Sequence, residues 1–177
     1  MFVLGGIIIY NLTRTEEWLQ RKYFKHDITN ASDLTLENLS SMFHVNVFKF
    51  PMSARFDVFD GRSFIVVDSR AEEQNQREQF FHELCHVAFH GGHQSNMHDP
   101  YRQLLEWEAD NFAMYAALPY FMICQYDLTD EFLIHKLLED FKVTPELCKR
   151  RLYQIKSRIQ SNIGLVAEAT ISYNNFN

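Results

Sequence analysis

Apolar and polar positions along the chain change their period midway. From Thr15 to about His26, Trp18, Leu19 and Tyr23 recur at helical spacing behind Glu16 and Glu17, which predicts a first helix. Leu36, Leu39 and Phe43 repeat that spacing and predict a short second helix over 34–43. Then alternation takes over. Val45 to Phe50 reads as a strand, and in RFDVFDGRSFIVVD the pair Asp60-Gly61 separates two runs of strand formers, as hairpin turns do. These pieces predict a small antiparallel sheet of about three strands.

After Ser69 the pattern is helical. Ser69 and Glu72 have the spacing of a capping box, predicting a long helix that runs through a histidine cluster and stops at Gly91-Gly92. Asp99-Pro100 predicts the next start, a cap followed by proline at the first helical position, with that helix reaching Leu118 before Pro119. Helices over about 130–141 and 145–159 follow, joined by the short turn Val143-Thr144-Pro145-Glu146. The expected fold is α+β and mainly helical, with a small antiparallel β-sheet and a C-terminal helical pair. The expected organisation is one domain over 1–126, a helical hairpin over 127–163 packed on it, and a flexible tail over 164–177. Residues 1–12 are expected as a buried strand or an irregular extension.

Composition narrows the function classes. With 177 residues, 46% hydrophobic and 23% charged, the chain can bury a real core and is not of the disordered class. A net charge of −6 argues against a protein that coats nucleic acid. The three cysteines, Cys85, Cys124 and Cys148, are too few and too odd in number for a disulfide framework, which points to a reducing compartment. The opening MFVLGGIIIY has no basic residue before Arg14, no cleavage site after it, and too little length for a bilayer. The expected location is the cytoplasm, with no membrane partner.

Candidate chemistry concentrates in residues 82–93, HELCHVAFHGGH, which hold four of the chain's eight histidines. His82-Glu83-Leu84-Cys85-His86 is HExxH. At about 100° per residue, the two histidines lie about 40° apart on one helix face, where they can share one zinc ion. Glu83 sits beside them as the candidate general base, because zinc brings the pKa of water to about 7 and a carboxylate can take its proton. The competing interpretation is an amphipathic helix with surface histidines, so a third ligand must decide. The spacing HExxHxxGxxH fails, since position 89 is Phe89, position 92 is Gly92, and His93 falls one residue late. EWEAD at 106–110 supplies the alternative. Glu106 can complete a single catalytic Zn2+ site, and Asp110, four residues on and on the same side, can accept the outer N–H of a ligand histidine. An ordinary charged helix face is the bland alternative for both.

The remaining residues have weaker claims. Glu108, about 200° from Glu106, is expected to face solvent. His90 is expected to close the helix against its terminal carbonyls. His93, His98, Tyr101, Tyr115 and Tyr120 are unranked candidates for stabilising an oxyanion, and Cys85 is expected to pack rather than bind metal.

At this point the runs REQFFHELCHVAFH and EWEADNFAMYAALP resemble the ImmA/IrrE metallopeptidases (the DUF955 group), a gluzincin-like set. That family shows HExxH late in one helix, then ExxA(N/D)xFA and a proline closing the next. Here these are His82–His86, Glu106–Ala113 and Pro119, and the likeness spans about residues 15–160. The resemblance implies a zincin-like domain and a site-specific regulatory protease of phages, mobile elements or stress responses. Its implied partner is a protein substrate, a helix-turn-helix repressor. A second reading is a non-proteolytic regulator that binds repressor or DNA through the C-terminal helices, whose second member carries Lys149, Arg150, Arg151, Lys156 and Arg158. Against it, Leu147, Leu152, Ile155 and Ile159 give that helix an apolar face that would pack inward and leave the basic residues merely solvated.

Overall fold

The computed structural model describes residues 3–4, 7–8, 10–90 and 98–174, with side chains at 10–90 and 98–163. Two short strands, β1 (Val3–Leu4) and β2 (Ile7–Ile8), pair antiparallel. Helix α1 (Arg14–Lys25) opens on a capping box: Glu16 N–H donates to the Thr13 hydroxyl, and the Glu16 carboxylate accepts from Thr13 N–H at 2.8 Å. Its buried side carries Leu19 and Tyr23 as expected, and the Tyr23 hydroxyl donates to the Ala116 carbonyl at 2.8 Å. A 3₁₀ turn (Ala31–Asp33) precedes α2 (Leu36–Phe43), so the second helix starts two residues later than its pattern suggested.

The sheet comprises β3 (Val45–Phe50), β4 (Arg55–Phe59) and β5 (Arg62–Asp68), in the order β3-β5-β4. The hairpin falls at Asp60-Gly61, both at positive φ (49° and 69°), the conformation that a two-residue turn between antiparallel strands requires. The sheet is nevertheless mixed, because β3 pairs with β5 in parallel, Val45 opposite Ser63 through Phe50 opposite Asp68. The chain leaves β3, crosses to the far edge as β4, and returns through the middle as β5. Ile65 and Val67 of that central strand are fully buried.

Helix α3 (Glu73–Phe89) lies against the sheet and beside α4 (Asp99–Ala117). It starts four residues after Ser69, and no side chain caps it. The expected capping box does not form, because Ser69 N–H instead donates to the Phe50 carbonyl at the end of the sheet. The expected stop at Gly91-Gly92 lies outside the described residues; α3 ends at Phe89, with His90 as its C-cap. In α4 the cap is His98, and Asp99 and Pro100 are already helical.

A single turn, α5 (Tyr120–Ile123), follows Pro119, then α6 (Leu133–Phe141) and α7 (Pro145–Asn174). α7 is much longer than the 145–159 expected, and residues 164–174 continue it. Its apolar face packs inward: Leu147, Leu152 and Ile155 are buried, and Ile159 leans on the same core. Arg151 is buried with it and Arg158 half-buried. Arg151 donates to Glu16 at 2.6 Å and to the Leu118 carbonyl at 3.0 Å, while Arg158 donates to the other Glu16 oxygen at 2.8 Å. Tyr10 completes the cluster, donating to Glu16 at 2.6 Å. An internal ion network therefore ties α1, the end of α4 and α7 together.

Candidate metal centre

The first half of α3 is anchored on three sides. Arg77 donates to the Leu34 carbonyl (2.6 Å), Glu78 accepts from Thr144 N–H ahead of α7 (2.6 Å), and Gln79 accepts from Asp68 N–H at the end of β5 (2.9 Å). The next turns carry the histidines. α4 crosses alongside, and the small buried Ala109 and Ala113 allow close approach.

The two motifs meet there. His82 Nε2 lies 3.3 Å from His86 Nε2 and 3.1 Å from Glu106 Oε2, and His86 Nε2 lies 3.7 Å from Glu106 Oε1. One ligand atom from each of the three residues falls within 4.8 Å of the others, the group among the described residues that could hold a metal ion. The donor set fits zinc. Atoms bound at about 2.0–2.1 Å in a tetrahedron stand about 3.3–3.4 Å apart, and the two histidine Nε2 atoms stand 3.3 Å apart, with one Glu106 oxygen near each of them. Asp110 Oδ1 lies 3.1 Å from His82 Nδ1. A carboxylate there accepts the Nδ1 proton and leaves the Nε2 lone pair facing the cluster. Burial, followed by the neighbouring His82 and His90, lowers the pKa of His86 to about 4 and keeps its ring neutral.

Glu83 is buried on the sheet side of the cluster. Its carboxylate accepts a hydrogen bond from the Phe56 backbone N–H, on edge strand β4. Burial raises its pKa, Glu106 adds to the rise, and His82 and the Phe56 bond oppose it, with a net shift upward from the ordinary value. The Phe56 ring stacks on His86 with centroids 5.5 Å apart. One edge-strand residue thus holds both the candidate base and a candidate ligand, which the sequence pattern gave no means of seeing. A cavity of about 220 Å³ opens on this side, lined by His82, Glu83, Asp110, Ala54, Glu78 and Arg150 among others. A larger one, about 530 Å³, lies between the start of α1, the end of α3 and α4, and is lined by Thr15, Cys85, His90, Tyr101 and Trp107 among others.

The other candidates separate. Tyr115 accepts from Gln154 and Arg158 within the ion network, and Tyr120 stacks on Tyr10 at 3.7 Å, so both belong to packing away from the cluster. Tyr101 and His98 are exposed at the start of α4, and His93 lies outside the described residues. Cys85 is buried in the core as expected, its thiol pushed up to about 12 by burial and then by Glu108 and Glu106. Glu108 is half-exposed but not merely solvated: its Oε2 lies 3.1 Å from His90 Nε2.

Over 149 residues the chain is 28% identical to the phage-like element PBSX protein XkdA of Bacillus subtilis (strain 168), an alignment covering 83% of this chain and 75% of that protein. Over 145 residues it is 26% identical to the protein YqaB of the same strain, covering 81% and 84% respectively. The profile of the Peptidase_M78 family, described as the IrrE N-terminal-like domain, matches residues 41–153, from the last turns of α2 through the first turns of α7. That match covers well over half of the sequence and contains every member of the cluster; the chain belongs to the Peptidase_M78 family, a family of peptidases.

Proposed function

We propose that this protein is a zinc-dependent, site-specific endopeptidase that acts in the cytoplasm and cleaves a helix-turn-helix transcriptional repressor. The observation that carries this reading is the convergence of His82, His86 and Glu106 beside a buried glutamate. In this reading His82, His86 and Glu106 hold one Zn2+, Asp110 orients His82, and Glu83 is the general base. A bound zinc ion supplies Lewis acidity, polarising a peptide carbonyl and lowering the pKa of water to about 7. Glu83, held by the Phe56 N–H, accepts the proton of the attacking water and returns it to the leaving amine.

The regulatory role rests on other grounds. XkdA is by its name a protein of a phage-like element, which agrees with the resemblance to mobile-element switches. Among the described residues no helix is long and apolar enough to cross a membrane, in keeping with an intracellular substrate. Binding DNA through the C-terminal helices is disfavoured, because Arg151 is wholly buried and both it and Arg158 are spent on Glu16.

The test is incubation of the purified protein and zinc with helix-turn-helix repressors, beginning with any that is encoded beside its gene. Discrete fragments that vanish on adding a chelator are expected. An intact repressor whose DNA binding is nonetheless relieved would favour the binding reading instead.

A further inference from the structure

His82, His86 and His90 stand at i, i+4 and i+8, and their rings form a continuous row down one face of α3, successive centroids 5.1 Å apart. Asp110 accounts for the outer nitrogen of His82. For His86, Nδ1 lies 2.9 Å from His90 Nδ1, and His90 Nε2 lies 3.1 Å from Glu108 Oε2. The His90 ring is almost wholly buried, with its side chain 6% exposed.

Hydrogen-bond chemistry fixes the protons along this row. A carboxylate only accepts, so the His90–Glu108 contact requires the proton on His90 Nε2. Neutral His90 then presents a lone pair at Nδ1, and the short contact between the two Nδ1 atoms can hold only the proton of His86. That proton's position leaves the lone pair of His86 on Nε2, the nitrogen that faces His82 and Glu106.

We propose that His90 and Glu108 are positioning residues that fix the tautomer and ring orientation of His86 for metal binding, as Asp110 does for His82. The proposal rests on the metal-site reading above and assigns a task to two residues that reading leaves idle. α4 then serves both histidines: Asp110 reaches one directly, and Glu108, two positions earlier on a different face, reaches the other through an intervening imidazole. Neither His90 nor Glu108 touches the reacting atoms.

The experiment measures zinc affinity by chelator competition, together with the visible absorption of the cobalt-substituted protein and the melting temperature of the metal-free form. His90→Leu fills the buried space without offering an acceptor, whereas His90→Asn places an amide oxygen near the old Nδ1 position. Outer hydrogen-bond partners of metal ligands are worth about 10–100-fold in affinity, and His90→Leu is expected to lose that much. His90→Asn should restore most of the loss, and Glu108→Ala should show a smaller one. The cobalt spectrum should shift in His90→Leu while the metal-free melting temperature stays near that of the parent. A parent that binds zinc, with His90→Leu equally tight or His90→Asn as weak as His90→Leu, would overturn this proposal and leave the metal site standing. A parent that binds no zinc would overturn both.

Discussion

Glu83→Gln is expected to fold and bind zinc like the parent while its cleavage rate falls by about 10²–10⁴-fold, the usual worth of a general base. The amide has nearly the same shape and keeps an oxygen for the Phe56 N–H, so the contact between α3 and β4 survives. What it loses is the capacity to accept a proton. Neither candidate ligand histidine is altered, and Asp110 and Glu106 on α4 are untouched. The measurement is fragment formation under single-turnover conditions, with metal content checked on the same sample. Undiminished cleavage would remove Glu83 from the mechanism. Undiminished regulatory activity without cleavage would remove the protease reading itself.

The second large effect is on stability. Glu16→Gln is expected to cost about 3–5 kcal/mol, because it leaves fully buried Arg151 and half-buried Arg158 without a countercharge. That is a sizeable share of the roughly 5–15 kcal/mol by which domains are stable. The network also predicts a pH dependence. Burial would raise the Glu16 pKa, but Arg151, the Thr13 N–H and the Tyr10 hydroxyl more than offset it, bringing it to about 2 from an ordinary 4.5. A folded-state value below the unfolded one stabilises the fold above pH 4.5, and that contribution fades as pH falls toward 2. Urea unfolding at pH 7 and pH 3 should therefore show the gap between wild type and Glu16→Gln narrowing in acid. A gap under about 1 kcal/mol at pH 7 would mean the network is no more than a surface pair in its energetics.

How much of this could be read from the sequence depended on distance along the chain. HExxH and ExxxD place their residues within one or two turns of a helix, so spacing alone predicts a shared face, and the structure brings those faces together. That Asp110 would meet a ligand histidine followed once both helices were granted; that it is His82 did not. The partnership of His90 with Glu108 did not follow. It depends on a side chain at the end of α3 reaching across to α4, and a glutamate on the flank of a helix looks solvated by periodicity alone. The HxxxHxxxH stripe was the one available signal, and the C-cap position of His90 masked it.

Long-range pairing was hidden for the same reason. Asp60-Gly61 dictated the β4–β5 hairpin locally, but nothing near Val45–Phe50 says that it runs parallel to β5. Ser69 matched a capping pattern, yet its N–H was already committed to Phe50, and a sequence motif cannot register that competition. Arg151 and Arg158 looked like the exposed basic face of a helix until Glu16, 135 residues away in sequence from Arg151, was found between them.

The proposed site requires one metal ion held jointly by α3 and α4. The direct measurement is the zinc content per chain of the purified protein and of Glu106→Ala. One equivalent in the parent, lost in Glu106→Ala whose metal-free fold is unchanged, is the predicted result. Full zinc retention by Glu106→Ala would contradict it.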